Sequence, residues 1–253
     1  MQADFDTKIA VVTGSTQGLG AAIARQLAER GAAGVLVTGR DAGRGVRMVE
    51  ELQRSGTRAA FVEADLADPA SPRTIIDAAD RTFGRIDVLI NSAGTTDRDT
   101  IWDSTPELFD RMMTINTRAP WFLMQGAAEV MVREGIDGAM VNVGSISSHA
   151  GQPYIATYCA SKAALAVLTK NTANALRKHR IRVNALNPGW MSTPSEDRVQ
   201  REYHGAGDGW LEEAGKALPF GSLIDPEDAA KAVLFLASAE SGFMTGAVVD
   251  YDQ

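Results

Sequence analysis

Short runs of β-branched and aliphatic residues alternate along this chain with longer stretches whose apolar positions recur every three to four residues. The first run, Lys8 to Thr13, ends directly in Gly14-Ser15-Thr16-Gln17-Gly18-Leu19-Gly20. Ala21, Ile23, Ala24, Leu27 and Ala28 then follow at helical spacing. Further strands are predicted at Gly34 to Thr38, Ala59 to Glu63, Ile86 to Ile90, Gly138 to Val143 and Ala247 to Val249. Helices are predicted near Ala42 to Ser55, Pro69 to Phe83, Pro106 to Arg133 and Ala229 to Ala237, with another opening at Tyr158. Strand and helix alternate without a Pro/Gly-rich linker or an internal repeat, which predicts one doubly wound α/β domain over residues 1–253.

Ligands of such sheets bind at the carboxyl ends of the strands, and the residues found there carry the chemistry. A strand, a glycine-rich turn and a helix present backbone N–H groups and a positive helix end to a pyrophosphate. A Cβ in that turn would block either the tight bend or the approach of the phosphate. An acid about 20 residues beyond the turn reads the ribose 2′-hydroxyl of NAD. That distance falls here on Gly39 and Arg40, a small and a cationic residue that suit a 2′-phosphate, while Asp41 next to them opposes one. The reading favours NADP(H) and leaves NAD(H) open. The third and fourth strands run into Asp65-Leu66 and Asn91-Ser92-Ala93-Gly94, the latter small enough for backbone to lie against a ligand.

Tyr158 and Lys162 stand at i and i+4 of an Ala-rich helical run, so both side chains share one helix face. A free phenol has a pKa near ~10, and an ammonium beside it favours the phenolate and draws that value towards neutrality. Such a pair donates a proton to a carbonyl oxygen or takes one from an alcohol. Ser145 lies thirteen residues before Tyr158, on the loop that follows the fifth strand. Asn116, set among apolar neighbours in the long 106–133 stretch, marks either a locally satisfied amide or a kink.

Composition narrows the class. A net charge of −7 offers no basic stripe for nucleic acid, and 45% hydrophobic with 23% charged residues is ordinary for a well-cored protein. One cysteine makes no internal disulfide and no Cys/His cluster has metal-ligand spacing, so no metal is expected and a cytoplasmic location is. Met1 to Lys8 does not read as a secretory signal, and no apolar run reaches membrane-spanning length.

Together, T-G-x-x-x-G-x-G at Thr13 to Gly20, Asp65-Leu66, N-S-A-G at 91–94, Asn116, Ser145, Y-C-A-S-K at 158–162 and N-P-G at 187–189 resemble the short-chain dehydrogenase/reductase family in order and extent. The resemblance implies a Rossmann-type, mostly parallel seven-stranded sheet with helices on both faces, usually in a homo-oligomer (dimer or tetramer). It also implies nicotinamide-dependent oxidation of alcohols or reduction of carbonyls. By resemblance Tyr158 is the general acid/base, Lys162 binds the nicotinamide ribose and lowers the phenol's pKa, and Ser145 bonds the substrate oxygen. Asn116 connects Lys162 to a water-borne proton path. Cofactor contacts are implied for Gly14, Thr16, Gln17, Gly18, Leu19, Gly20, Arg40, Asp65, Leu66, Asn91, Ala93, Gly94, Pro188, Gly189, Met191 and Thr193. Asp250-Tyr251-Asp252-Gln253 stands where the family usually ends in D-G-G.

Residues 194–218 correspond to the insertion that covers the substrate in this family. Their mix of charge and aromatics suits a small polyhydroxy or sugar-like substrate, with Ser147, His149, Trp190, Arg198, Tyr203 and His204 as candidate contacts. A β-ketoacyl thioester reductase would favour a basic patch for its carrier, which the acids of this segment oppose. A catalytically silent dinucleotide-binding sensor would have no need of Ser145, Tyr158 and Lys162 together.

Overall fold

The sequence Ile9–Thr13 is buried along its whole length, as a strand covered on both faces must be. In the computed structural model, which describes residues 4–253, this strand (β1) lies at the centre of one seven-stranded sheet. Met1 to Ala3 of the segment read as no secretory signal lie outside the described residues. Alternate side chains of β1 enter opposite layers: Ala10 and Val12 join one apolar cluster, Val11 the other.

Helix α1 (Gly18–Glu29) leads to β2 (Gly34–Gly39), α2 (Ala42–Arg54), β3 (Arg58–Glu63), α3 (Ser71–Phe83) and β4 (Val88–Asn91). The chain continues through α4 (Pro106–Met113), a π-helical turn (Thr114–Arg118), α5 (Ala119–Arg133), β5 (Ala139–Val143) and α6 (Ala156–Leu176). It ends with β6 (Arg182–Pro188), α7 (Pro194–His204), α8 (Trp210–Lys216), α9 (Pro226–Ala237) and β7 (Val248–Tyr251). Strand order is β3-β2-β1-β4-β5-β6-β7, and every pairing is parallel rather than mostly so. Chain direction across the sheet reverses between β1 and β4, the switch point at which such sheets form a crevice. In register, Thr13 pairs with Asn91 and Asn91 with Asn142, which sets three strand ends side by side.

At the opposite edge, buried Asp87 accepts hydrogen bonds from the Ile9 amide at 2.9 Å and from Arg85 at 2.6 and 2.9 Å. That edge is closed by charge; the strand-end edge stays open for chemistry.

Several boundaries differ from the sequence reading for local reasons. Asp68 Oδ1 accepts the Ala70 amide and holds residues 69–70 in a turn, so α3 starts at Ser71 and not Pro69. The 106–133 stretch divides at the π turn that contains Asn116. The last strand extends to Tyr251, so the unusual tail begins inside the sheet. Among the described residues no helix is long and apolar enough to cross a membrane, and no cluster of metal-ligating side chains occurs.

Candidate active site

The glycine turn is shaped first by the protein itself. Gly14 has φ +65°, and a Cβ there would lie 2.8 Å from Ala93 Cα. A Cβ on Gly20 would overlap the Gly14 carbonyl oxygen, and Gly18 has φ +54° against Thr193. Thr13 Oγ1 accepts the Ser92 and Ala93 amides at 3.1 Å each, and Ser15 Oγ accepts the Thr38 amide at 3.0 Å. These two hydroxyls join three strand ends; the motif includes Thr13, but neither hydroxyl's role was readable from the sequence.

The turn suits a dinucleotide. Helices α2, α4, α7 and α9 are capped by the side chains of Asp41, Thr105, Thr193 and Asp225. Helix α1 has no side-chain cap and no acid in its first turn, so its leading N–H groups and positive end remain for an anion. Gln17 reaches Ser195 at 2.8 Å and accepts from Arg44, while Leu19 packs into the core. Thr16 lies against Gly39, where a Cβ would come within 2.7 Å of its side chain. Arg40 is exposed. Asp41 is bound by Arg44: the Arg44 backbone N–H and then its guanidinium bind the carboxylate and hold its pKa below the usual range.

Asp65 is exposed and accepts the Ala67 amide, whereas Leu66 is buried. Asn91 donates to Asn142 at 2.8 Å, and its own buried Oδ1 has no partner among the described residues. Gly94 is narrow for a different reason: a Cβ there would sit 3.3 Å from Asn116 Oδ1 and 3.5 Å from Lys162 Nζ.

Asn116 is fully buried, and its amide spans Thr95, accepting the amide N–H and donating to the carbonyl at 2.9 Å each. It also donates to Ser161 Oγ at 3.0 Å, and Ser161 Oγ donates to the Tyr158 carbonyl at 2.8 Å. A π turn interrupts the helix at Asn116, and its side chain joins the 94–95 loop to α6.

Tyr158 and Lys162 share one face of α6, with Nζ 5.8 Å from the phenol ring centroid. Lys162 Nζ donates to the Val143 carbonyl at 2.8 Å, and burial draws its pKa down to about 8. The expected lowering of the phenol is not present in the protein alone. Burial pushes Tyr158 up to about 12, against a downward pull from its hydrogen bond with Ser145, although part of the ring stays open to the cleft. Ser145 is placed from two sides, its amide donating to Asn187 Oδ1 at 3.1 Å and its hydroxyl accepting from the Ser147 amide at 3.1 Å.

The candidate substrate contacts separate. Ser147 donates to Gln152 at 2.9 Å, and His149 pairs with Asp250 at 3.0 Å. Trp190 donates to Glu196 at 2.7 Å and lies against Trp210. His204 meets Arg98 and the edge of Tyr154. Arg198 and Tyr203 are exposed and make no hydrogen bond with the described residues, so nothing brings them to Tyr158. Arg98 and Glu196 both act on the Tyr158 phenol through their charge, and neither belongs to a motif.

Beyond β6, Pro188 ends the strand and Met191 bridges to Ile224. Thr193 caps α7 through the Glu196 amide, leaving its own hydroxyl hydrogen free. Gly189 lies against the Asp252 carboxylate, which a Cβ there would displace, and Gln253 bonds the Phe220 amide and the Ser222 carbonyl at 2.7 Å each. The unusual tail thus makes its own contacts with the loop after α8.

The family model described as enoyl-(acyl carrier protein) reductase matches residues 14–253. The chain is 34% identical to L-rhamnose 1-dehydrogenase (NAD(P)(+)) of Sphingomonas sp., over 98% of this chain and 96% of that one. It is 32% identical to galactitol 2-dehydrogenase of Agrobacterium fabrum, over 98% and 97%. A solved structure of L-sorbose reductase from Gluconobacter frateurii, complexed with NADPH and L-sorbose, is similar at a TM-score of 0.91 and 29% identity, covering 100% of this chain and 97% of that one. The motifs, the parallel sheet with its switch point and these relatives agree: the chain belongs to the short-chain dehydrogenase/reductase family and is a nicotinamide-dependent oxidoreductase.

Proposed function

We propose that the protein interconverts an alcohol and a carbonyl on a small sugar- or polyol-like substrate, using NADP(H) in preference to NAD(H). The observation that carries this reading is the Tyr158–Lys162 face of α6, set beside Ser145 at the end of β5. Relatives named for rhamnose, galactitol and sorbose support the substrate class. The uncapped α1 and the 91–94 backbone would hold the dinucleotide, which when bound supplies or accepts the hydride.

This chain's own residues manage the proton. Tyr158, kept as a phenol by burial, gives its proton to the carbonyl oxygen during reduction and must recover it from the alcohol during oxidation. Ser145 bonds the same oxygen as charge develops on it. Lys162 would hold the nicotinamide ribose and stabilise the phenolate, and Asn116 would connect it to a water-borne proton path. Residues 194–218 form a lid within the single domain. Exposed Phe109, Trp121 and Phe122 support a homo-oligomer.

Tyr158→Phe tests the assignment: kcat should fall by ~10² or more, while the dinucleotide dissociation constant stays within a factor of two or so. Retained turnover in a pure sample would exclude Tyr158 as the acid. Cofactor choice is separately testable. Arg40→Ala should lower kcat/KM with NADP⁺ relative to NAD⁺ by roughly 10-fold or more, because a charge-assisted bond to the 2′-phosphate is lost. A wild type that prefers NAD⁺ would place Arg40 in solvent only.

A further inference from the structure

We infer that Arg98 is an anion-binding residue of the substrate site, and that the substrate class is a polyhydroxy acid whose carboxylate Arg98 takes, not a neutral sugar. The inference rests on the reading of Tyr158 and its cleft as the reaction centre.

Arg98 is a half-buried cation without a carboxylate among the described residues. Its two neighbours in sequence are both acids, and both are engaged elsewhere. Asp97 accepts from Thr95 Oγ1 at 3.2 Å and lies 3.8 Å from Arg111. Asp99 is buried and turned onto the start of α6, taking the Thr157 amide at 3.2 and 3.3 Å and Ser104 Oγ at 2.9 Å. Glu196, whose charge also acts on the Tyr158 phenol, is held on one oxygen by Trp190 and Gln200 at 2.7 and 2.8 Å.

The guanidinium is fixed nonetheless. It lies over the Tyr154 ring, 5.7 Å from the centroid, and His204 Nε2 accepts from Nε at 3.3 Å and Nη2 at 3.1 Å. Because arginine has only donors, that ring nitrogen must offer its lone pair. Nη1 donates to the Thr96 carbonyl at 3.4 Å. Three of five N–H groups are used, and one donor remains on each terminal nitrogen for a carboxylate.

Its position is fixed relative to the chemistry as well. Arg98 precedes Asp99, which binds the residue immediately before Tyr158, and its charge is felt at the Tyr158 phenol. A preformed cation with no carboxylate bonded to it, near a proton-transfer group, selects a substrate that brings the counter-charge. One guanidinium with two free donors matches a carboxylate better than a dianionic phosphate, which needs a second cation.

The test is a panel of six-carbon probes at matched concentration with NADP⁺ and NAD⁺: D-gluconate and L-gulonate, D-sorbitol and galactitol, and D-glucose 6-phosphate. Wild type should show kcat/KM for at least one acid about 10- to 100-fold above the neutral polyols, as expected for a charge-assisted pair. Arg98→Gln should collapse that ratio through KM, and Arg98→Lys should restore part of it. Titration of the same acids into the protein saturated with cofactor should show the corresponding loss of affinity. Turnover of polyols without acid preference would overturn the carboxylate site and leave the proposed function standing. Preference for the phosphate over the acids would overturn it too. Turnover of no probe, with no acid binding by titration, would overturn both.

Discussion

The strand-end scaffold and the 194–222 segment lie against each other and are built by opposite means. In the scaffold, polar groups are buried and bonded in short chains: Asn142 lies between Asn91 and Thr169, at 2.8 and 2.9 Å, and Asn187 holds the Ser145 amide. Buried polar networks of this kind fix one arrangement, because any change strands a desolvated group. The segment is instead tied by exposed pairs, Arg201 with Asp197 and Asp208 at 3.0 and 3.2 Å, and Lys216 with Glu212 at 2.8 Å. Each such pair contributes roughly 0–1 kcal/mol. Left-handed Gly205 and Gly209 flank the link between its helices. The proposed chemistry is therefore mounted on the region that cannot adjust, and the proposed lid on the one that can.

The largest expected effect comes from exchanging one glycine in each region. Gly20→Val drives a side chain into the Gly14 carbonyl and should cost more than about 4 kcal/mol, with dinucleotide binding lost. Gly207→Val meets nothing within 4 Å and should stay within about 0.5 kcal/mol. Thermal unfolding of both variants decides; similar losses would erase the contrast.

Next is Lys162→Met, which should abolish turnover while stabilising the fold. The ammonium falls from 10.5 unfolded to about 8 folded, so its burial costs on the order of 3 kcal/mol below pH 8. Losing the bond to the Val143 carbonyl returns about 1 kcal/mol of that. The unfolded chain binds the extra proton between pH 8 and 10.5, so the variant's advantage is full at neutrality and fades across that window. Denaturant unfolding at pH 7 and pH 10 measures it, and a destabilised variant at pH 7 would show that the ammonium is compensated.

The smallest effect belongs to the segment. Trp210→Phe removes the 2.8 Å bond to Asp197 and should raise substrate KM by about 5-fold, the equivalent of one modest hydrogen bond. The melting temperature should hardly move. A large fall in melting temperature would make α8 part of the scaffold.

Legibility in the sequence follows the same division. The sheet, the glycine turn and the pairing of Tyr158 with Lys162 were readable because periodicity and i, i+4 spacing are local properties. Asn116 was readable as an interruption, but its grip on Thr95 was not, since twenty-one residues separate them. Arg98 and Tyr154 gave no signal, because their meeting with His204 exists only after folding. Lys162 as a depressant of the phenol was argued from spacing alone, which carries no information on burial. Gly39 was read as room for a phosphate; the structure adds that Thr16 fills the space a side chain would take. An acid placed there to change cofactor choice would first displace Thr16, so Arg40 is the cleaner position to alter.

The π-helical turn at Thr114–Arg118 has a consequence for insertions and deletions. A π turn holds one more residue than the α-helix around it accommodates, at some expense in hydrogen bonding. Shortening the segment by one residue would let α4 and α5 fuse into a regular helix, locally a gain. It would also rotate Asn116 away from Thr95 by about a quarter turn or more. The gain in helix regularity would therefore be set against a Thr95 amide and carbonyl left without their buried partner.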